Sequence, residues 1–588
     1  MYVAITGSGK ARVIQFREDT HIPGTKKKKT RVVKTIGNYE RMLAEDPNII
    51  EKLKKEAKAL TIEKKASQKP ITVELASQEI ISPDDVTASY RFGHALVKQM
   101  WLRMGLHLFF TEQCNKRNAE VVERAIYYLA AHRLSEPASI LSSSRDQEHY
   151  AGLRPLGLDV FYQVLDTLCQ NKEAIIKRLN RFFEKNTNRK GPEAYYDVTT
   201  YAFESTKWGE LRMFGFSKDH KNNEVQVVMG LLLDNNGIPI TYELFPGNTM
   251  DQNTLTRAVE KLKAKYHLEK IVIVADRGLN GGENLEFLCR EGHDFVISYT
   301  LKRSSQELKA MALDPDGWSV TTDEKSGEIL GKSKILEQVL KVKVPKAEKE
   351  SIVLKKRGRP RKYELVEIPV KIHLTWTAKR AAKDKADRER MIDKLKKRLD
   401  RPYQLKADLK RGRNQYLKLD VDTQSCCLDE ERIAEAQKYD GYYAVITNNL
   451  DYSTEEVSNI YGGLWQIEET FRVLKTDLQA RPVFVWSDQH IQGHFMLCYL
   501  CLSILRYAQY LLLHEKNEKV SASKIMDAFR SPLALILGTY PNNIVTPTRV
   551  PKVYLQLAEA LGLPRLKTNM TLTNFRTATK LDLSINLK

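Results

Sequence analysis

The sequence has little of what marks exported, metal-knuckle or membrane proteins. Its 588 residues hold seven cysteines: Cys114, Cys169, Cys289, Cys426, Cys427, Cys498 and Cys501. An odd number with a single C-x-x-C, Cys498 to Cys501, and no second one to pair with it excludes a disulfide framework and a zinc ribbon. The opening stretch MYVAITGSGKARVIQF has no charged segment followed by a long apolar run and a cleavage site, so an intracellular protein is expected. The most apolar stretch, Phe495 to Leu513, is interrupted by Arg506 and Gln509. It falls short of the roughly 20 uninterrupted apolar residues of a span and reads as a buried core helix, with no membrane partner. No internal repeat is visible.

Positive charge is abundant. Lys and Arg number 94 against 74 Asp and Glu, a net +20, and 42% of residues are hydrophobic. That content fills sizeable cores and excludes global disorder; at roughly 100 to 200 residues per domain it suggests about three to five folded units. The charge is lopsided. Residues 341–420 carry 27 basic and 11 acidic side chains, a net +16, residues 1–60 carry +7, and all others together carry −3. Concentrated positive charge favours a polyanion through phosphate neutralisation and counterion release. The run Lys26, Lys27, Lys28, Lys29 has no acid nearby to neutralise it, whereas Ala378 to Leu399 interleaves acids and reads as a solvated helix. In KKRGRPRK (Lys355, Lys356, Arg357, Gly358, Arg359, Pro360, Arg361, Lys362) the Gly and Pro keep the chain extended. A flexible basic loop is the favoured reading, and arginines entering a narrow A·T minor groove the alternative.

Residues 1–60 read as short strands (3–5, 11–16, 30–36) and a helix (49–60), a small basic module. Helical periodicity follows in 119–132 and 160–183. Strands are then expected at 195–203, 225–233 and 238–245, the last two joined by the turn DNNG, and at 271–278 and 295–299, with helices at 255–266 and 282–290. That order implies an α/β fold with a mixed sheet flanked by helices. VEIPVKIHLTWT places Val366, Ile368, Val370, Ile372, Leu374 and Trp376 at two-residue steps, a half-buried strand within a β-rich basic insertion. The last 60 residues, with Pro541, Pro547, Pro551 and Pro564, read as a partly irregular tail.

Three acids stand out. Asp197 lies inside a strand, where a buried carboxylate needs a partner. Asp276 ends the apolar strand 271–275, where ligands of open α/β sheets collect. Glu468 borders the apolar stripe of IYGGLWQIEETFRVLKTDLQARP, with Tyr461 and Lys475 seven residues to either side, about 10 Å apart along a helix axis. Singly, each has a bland reading: a partnered strand acid, a helix cap, a solvated glutamate. Together, two strand aspartates and a helix glutamate on a mixed sheet in a basic protein suit two-metal phosphoryl transfer, because hard divalent cations want oxygen ligands.

These residues resemble the DDE-type insertion-sequence transposases, which have an RNase H-like core and a β-strand insertion between the second Asp and the Glu. The resemblance rests on YYDVTTYAFES, FGFSKDHKNNEVQVVMGLLLDNNGIPITYELFPGNTMD, VADRGLNGGENL and the glutamate segment, over residues 190 to 500. The subgroup signature Tyr-x2-Arg-x3-Glu-x6-Lys is matched by Tyr461, Glu468 and Lys475, but Leu464 stands at the Arg position; Arg472 and Arg481 are nearby cations able to substitute. The resemblance implies Asp197, Asp276 and Glu468 as catalytic ligands of two Mg²⁺ ions, with Mn²⁺ able to replace them. It implies Tyr461, Lys475 and Arg472 as DNA contacts, and terminal inverted repeats and target DNA as partners. A homodimer bringing two ends together, in the cytoplasm with the DNA of a prokaryotic nucleoid, is also implied. The expected division is a DNA-end-binding module (1–60), a helical region for DNA binding or dimerisation (61–190), core (191–300), basic insertion (301–440), core with the Glu helix (441–530) and tail (531–588). An inactive, domesticated DNA-binding relative and an RNase H-like nuclease without strand transfer are the rival readings. Lys218, Asp219 and His220 read as a structural loop, and Phe245 to Asp251 as a tight turn. His490 and His494 either approach the site or cap the apolar helix.

Overall fold

The computed structural model describes residues 1–21, 28–66, 89–113, 118–189, 193–215, 223–250, 253–266, 271–323, 327–345, 363–399, 416–419, 426–538 and 542–587. Lys355–Lys362, Lys218–His220, Lys26 and Lys27 fall outside them. The chain forms two compact units, one of residues 1–100, 144–156 and 511–588, the other of 101–143 and 157–510.

In the first unit an antiparallel three-stranded sheet (Tyr2–Thr6, Val13–His21, Lys28–Asn38) precedes helices Tyr39–Glu45 and Ile49–Ala66. Lys28 and Lys29 open the third strand. Alternating Ile14 and Phe16 meet Leu53 and Ala57 of the second helix in a small core, and Asn38 caps the first helix by accepting from the Glu40 and Arg41 amides. The C-terminal segment is folded, contrary to its expected irregularity. Leu533–Leu537 and Ile544–Thr548 pair with Ser89–Arg91 and Met570–Thr571 in a four-stranded sheet. Its prolines sit where no amide is needed: Pro547 pairs with Ala534, beyond the reach of the two-residue strand on the other side, and Pro551 precedes helix Lys552–Ala560.

The second unit is built on nine strands: β1 (Glu193–Ala202), β2 (Gln226–Leu233), β3 (Pro239–Pro246), β4 (Val272–Ala275), β5 (Asp294–Tyr299), β6 (Ser319–Thr322), β7 (Ile329–Pro345), β8 (Tyr363–Thr377) and β9 (Tyr442–Thr447). Their spatial order is β6-β7-β8-β9-β5-β4-β1-β2-β3. β1, β2 and β3 are antiparallel, and β4 and β5 run parallel to β1. This is the RNase H-like mixed sheet expected. The DNNG turn forms as read: Asp234 accepts from the Asn236 and Ile238 amides, and Gly237 takes φ +72°. Gly247 of the FPGN turn packs so closely that a Cβ there would lie 2.1 Å from the Gln226 carbonyl oxygen.

The insertion strands do not form a separate body. β9 pairs antiparallel with both β5 and β8, so β6, β7 and β8 extend the same sheet. The two-residue pattern of β8 is realised: Ile368, Val370, Ile372 and Leu374 are buried. The 160–183 periodicity splits into helices Leu158–Gln170 and Lys172–Asn186, because Asn171 leaves helical geometry at ψ 10°. Helix Asp488–Lys516 is long and apolar enough to cross a membrane, but 83% of its most apolar window is buried in the protein.

Candidate active site

β1 decides which residues share a face. Its even positions Ala194, Tyr196 and Val198 join the core beneath helices Leu255–Tyr266 and Gly282–Arg290, with Leu255, Ala258, Leu285 and Leu288. Alternation then turns Tyr195, Asp197, Thr199 and Tyr201 to the opposite face. That face is covered by the segment carrying the glutamate. Tyr195 donates to the Ile460 carbonyl at 3.1 Å, and Tyr201 meets Phe495 edge-on at 4.9 Å between ring centroids. Half-buried Asp197 sits between these two anchors.

Asp276 follows the strand that neighbours β1. β1 and β4 pair in parallel with Glu193 opposite Val272 and Tyr195 opposite Val274; two residues further along each chain come Asp197, still within β1, and Asp276, the first residue past β4. Asp276 is exposed. Its Oδ1 accepts from the Gly278 amide at 2.7 Å, capping a short turn, so the cap reading holds for one oxygen while the carboxylate still faces solvent.

Glu468 is exposed on helix Trp465–Arg472, which packs on β1 and β2 through buried Ile467 and Phe471. It has no hydrogen bond or ion pair among the described residues. The helix approaches because Gly463 is small: a Cβ there would sit 2.2 Å from the Tyr195 hydroxyl. Burial pushes the Tyr195 phenol up to about 12, with Glu193 and Asp234 adding to the effect. Asp197 thus lies within β1, Asp276 just past the end of neighbouring β4 and Glu468 on the helix packed against β1 and β2, and their oxygens do not all lie within 4.8 Å of one another. The set is oxygen-only, with Asp276 and Glu468 open to solvent, and suits hard divalent ions better than thiophilic ones.

The companion residues are placed differently from a straight-helix reading. Residues Val473–Asp477 form a π-helical turn, closed by the Leu478 amide on the Val473 carbonyl at 2.8 Å. Widening the turn breaks the 3.6-residue periodicity that would align Lys475 with Glu468. The Lys475 ammonium instead lies 5.5 Å from the Tyr201 ring centroid, on the Asp197 face of β1. Tyr461 accepts a 2.6 Å hydrogen bond from Tyr443 of β9, whose ring carries the Arg380 guanidinium at 4.3 Å; burial, then this hydrogen bond, pushes the Tyr443 phenol up. Leu464 is buried. Arg472 is held by Glu469 and Asp477, each at 3.3 Å.

Arg506 explains the break in the apolar helix. It is buried and donates to Glu469, Thr470 and Gln509, tying down the carboxylate beside Glu468 while Glu468 stays open. A single charge inside a long apolar run was the signal, since such a charge needs a buried partner. His494 is buried inside helix Asp488–Lys516 rather than at its cap. Its Nε2 lies 3.1 Å from the Ala480 carbonyl, and burial lowers its pKa to about 3. His490 lies 3.5 Å from Asp166.

The family model of the Transposase DDE domain matches residues 196–504, more than half of the chain. The chain belongs to this transposase family. Asp197, Asp276 and Glu468 all fall within the matched span. Among solved structures, a cryo-electron microscopy structure of a piggyBac transposase synaptic complex with hairpin DNA is similar at 9% identity and a TM-score of 0.32, over 81% of this chain and 80% of that one. No curated protein matches.

Proposed function

We propose that the chain cuts DNA at the ends of an insertion sequence and joins the resulting 3′-hydroxyls to target DNA, with Asp197, Asp276 and Glu468 as the catalytic carboxylates. The observation that supports this reading is the parallel pairing of neighbouring β1 and β4, which carries Asp197 within one strand and Asp276 just past the end of the other, with the glutamate helix packed on β1. The three carboxylates would hold two Mg²⁺, or Mn²⁺, which when bound would activate the attacking oxygen and stabilise the leaving one. The remaining work is positioning. Tyr195 and Gly463 set the height of the glutamate helix over β1. Lys475 brings positive charge to the Asp197 face, and Tyr461, tied to Tyr443, offers its own hydroxyl proton to a phosphate oxygen. Terminal inverted repeats and target DNA are the partners in this reading, bound by two copies of the chain in a prokaryotic cytoplasm.

The test uses a plasmid carrying the gene with its flanking DNA, incubated with purified protein and Mg²⁺. Nicks at the element boundaries and joined products are expected from the parent, and a loss of about a thousandfold or more from Asp197→Asn or Asp276→Asn, with DNA affinity retained. Parental nicking by either variant overturns the catalytic assignment. Nicks without joined products would instead establish a nuclease, and no nicks at all the inactive DNA-binding relative.

A further inference from the structure

Outside the three carboxylates, the second unit has an open cavity of about 550 Å³ whose lining includes Arg103, Lys177, Arg178, Arg181 and Lys185 and, among the described residues, no acidic one. Four of these cations come from one helix, Lys172–Asn186, at positions i, i+1, i+4 and i+8. The opposite side of that helix is buried through Ile175, Ile176, Leu179 and Phe183. The stripe therefore faces outward by necessity, and Lys177, Arg181 and Lys185 are exposed. Glu173 and Glu184 lie on the same helix but do not line the cavity.

The site is built, not a chance gathering of side chains. Gly105 reverses the chain after Arg103 with φ +65°, and a Cβ there would lie 2.2 Å from the Arg178 guanidinium. Only glycine lets Arg178 lie against this turn, where its Nε reaches the Met104 carbonyl at 3.4 Å. Phe109 and Phe182 supply apolar floor. From Lys177 to Lys185 the stripe runs about 12 Å along the helix, over which one DNA strand presents about three to four phosphates.

We propose that this cavity holds the phosphodiester backbone of duplex DNA, away from the bond being cut. The proposal rests on the transposase reading for its choice of DNA as the polyanion. An open row of spaced cations suits a repeating polyanion better than a single small anion, which would call for convergent donors. It assigns backbone positioning, without sequence readout, to residues 103–109 and 174–186.

The test measures binding of a fluorescein-labelled 30-base-pair duplex of mixed sequence by anisotropy between 50 and 300 mM NaCl, in EDTA so that no chemistry occurs. For the full-length Lys177→Gln/Arg181→Gln/Lys185→Gln protein, the slope of log Kd against log salt should fall by about two to three, at about 0.9 per lost phosphate contact. Kd at 150 mM should rise about tenfold or more. The charge-conserving Lys177→Arg/Arg181→Lys/Lys185→Arg protein should behave as the parent. An unchanged slope in the neutralised protein overturns the proposal. If that variant fails to fold, acetylation of Lys177 and Lys185 in the parent decides: bound duplex should slow it severalfold, and equal rates with and without DNA overturn the assignment. A parent that binds with the expected slopes but never nicks DNA would refute the catalytic reading and leave this cavity standing.

Discussion

Replacing Arg506 by methionine removes a buried cation while keeping an unbranched apolar stem. Breaking a buried ion pair from one side costs about 3–5 kcal/mol when the abandoned charge has no other partner. Here the Glu469 side chain keeps 24% exposure and its second arginine, Arg472, at 3.3 Å, and Thr470 keeps its bond to the Gln466 carbonyl. The cost should therefore fall to about 2–3 kcal/mol. Unfolding entropy of about 2.1 cal/mol/K per residue, over a unit of roughly 400 residues, makes each kcal/mol worth about 1 °C. Calorimetry of the full-length protein should show the transition of this unit lowered by about 3 °C. Glu469→Gln/Arg506→Met, which removes both charges, should recover at least half of the loss. Boundary nicking should fall further than stability alone explains, because Glu468 rides on the same helical turn. A single variant melting within 1 °C of the parent, or a double variant no better than the single, would refute the argument that Arg506 anchors the glutamate helix.

Two other changes follow from the same geometry. His494 is held at about 3 in the folded chain against an ordinary 6.5. The unfolded chain alone therefore takes up this proton as pH falls below 6.5, and stability is lost toward acid at about 1.4 kcal/mol per pH unit, until the folded pKa is reached. Urea unfolding at pH 7 and pH 5 should show a loss about 2 kcal/mol smaller in His494→Gln than in the parent; equal losses would remove His494 from the account. Gly463→Ala places a methyl 2.2 Å from the Tyr195 hydroxyl, so a loss of about 1–3 kcal/mol is expected in the same assay, with a parent-like midpoint counting against the close approach.

Much of the core was legible because strand chemistry is local. The apolar runs 225–233 and 271–275 became buried strands, the DNNG turn closed its hairpin, and an Asp at each of two strand positions stood out against β propensity. The insertion was legible as strands but not as part of the same sheet. Its edge pairing with β9 joins Lys371–Trp376 to Tyr442–Thr447 across some 70 residues, and no periodicity encodes that partner. The proline-bearing C-terminal segment is illegible as strands for the same reason: they are completed by residues 89–91, more than 400 positions earlier.

The sequence by itself determined the family, the three candidate acids, the lopsided charge and the faces of individual strands and helices, since spacing along one chain sets which residues share a face. Only the tertiary structure decided what lies opposite each face. The parallel pairing of β1 with β4 made the strands that carry and precede Asp197 and Asp276 neighbours, and a π-helical turn redirected Lys475. Arg506 turned from an interruption in an apolar run into the buried partner of Glu469, and Gly105 let a basic helix stripe close into a cavity. Each depends on which distant segment fills a neighbouring space, and that is settled by packing and pairing between elements rather than by periodicity within one.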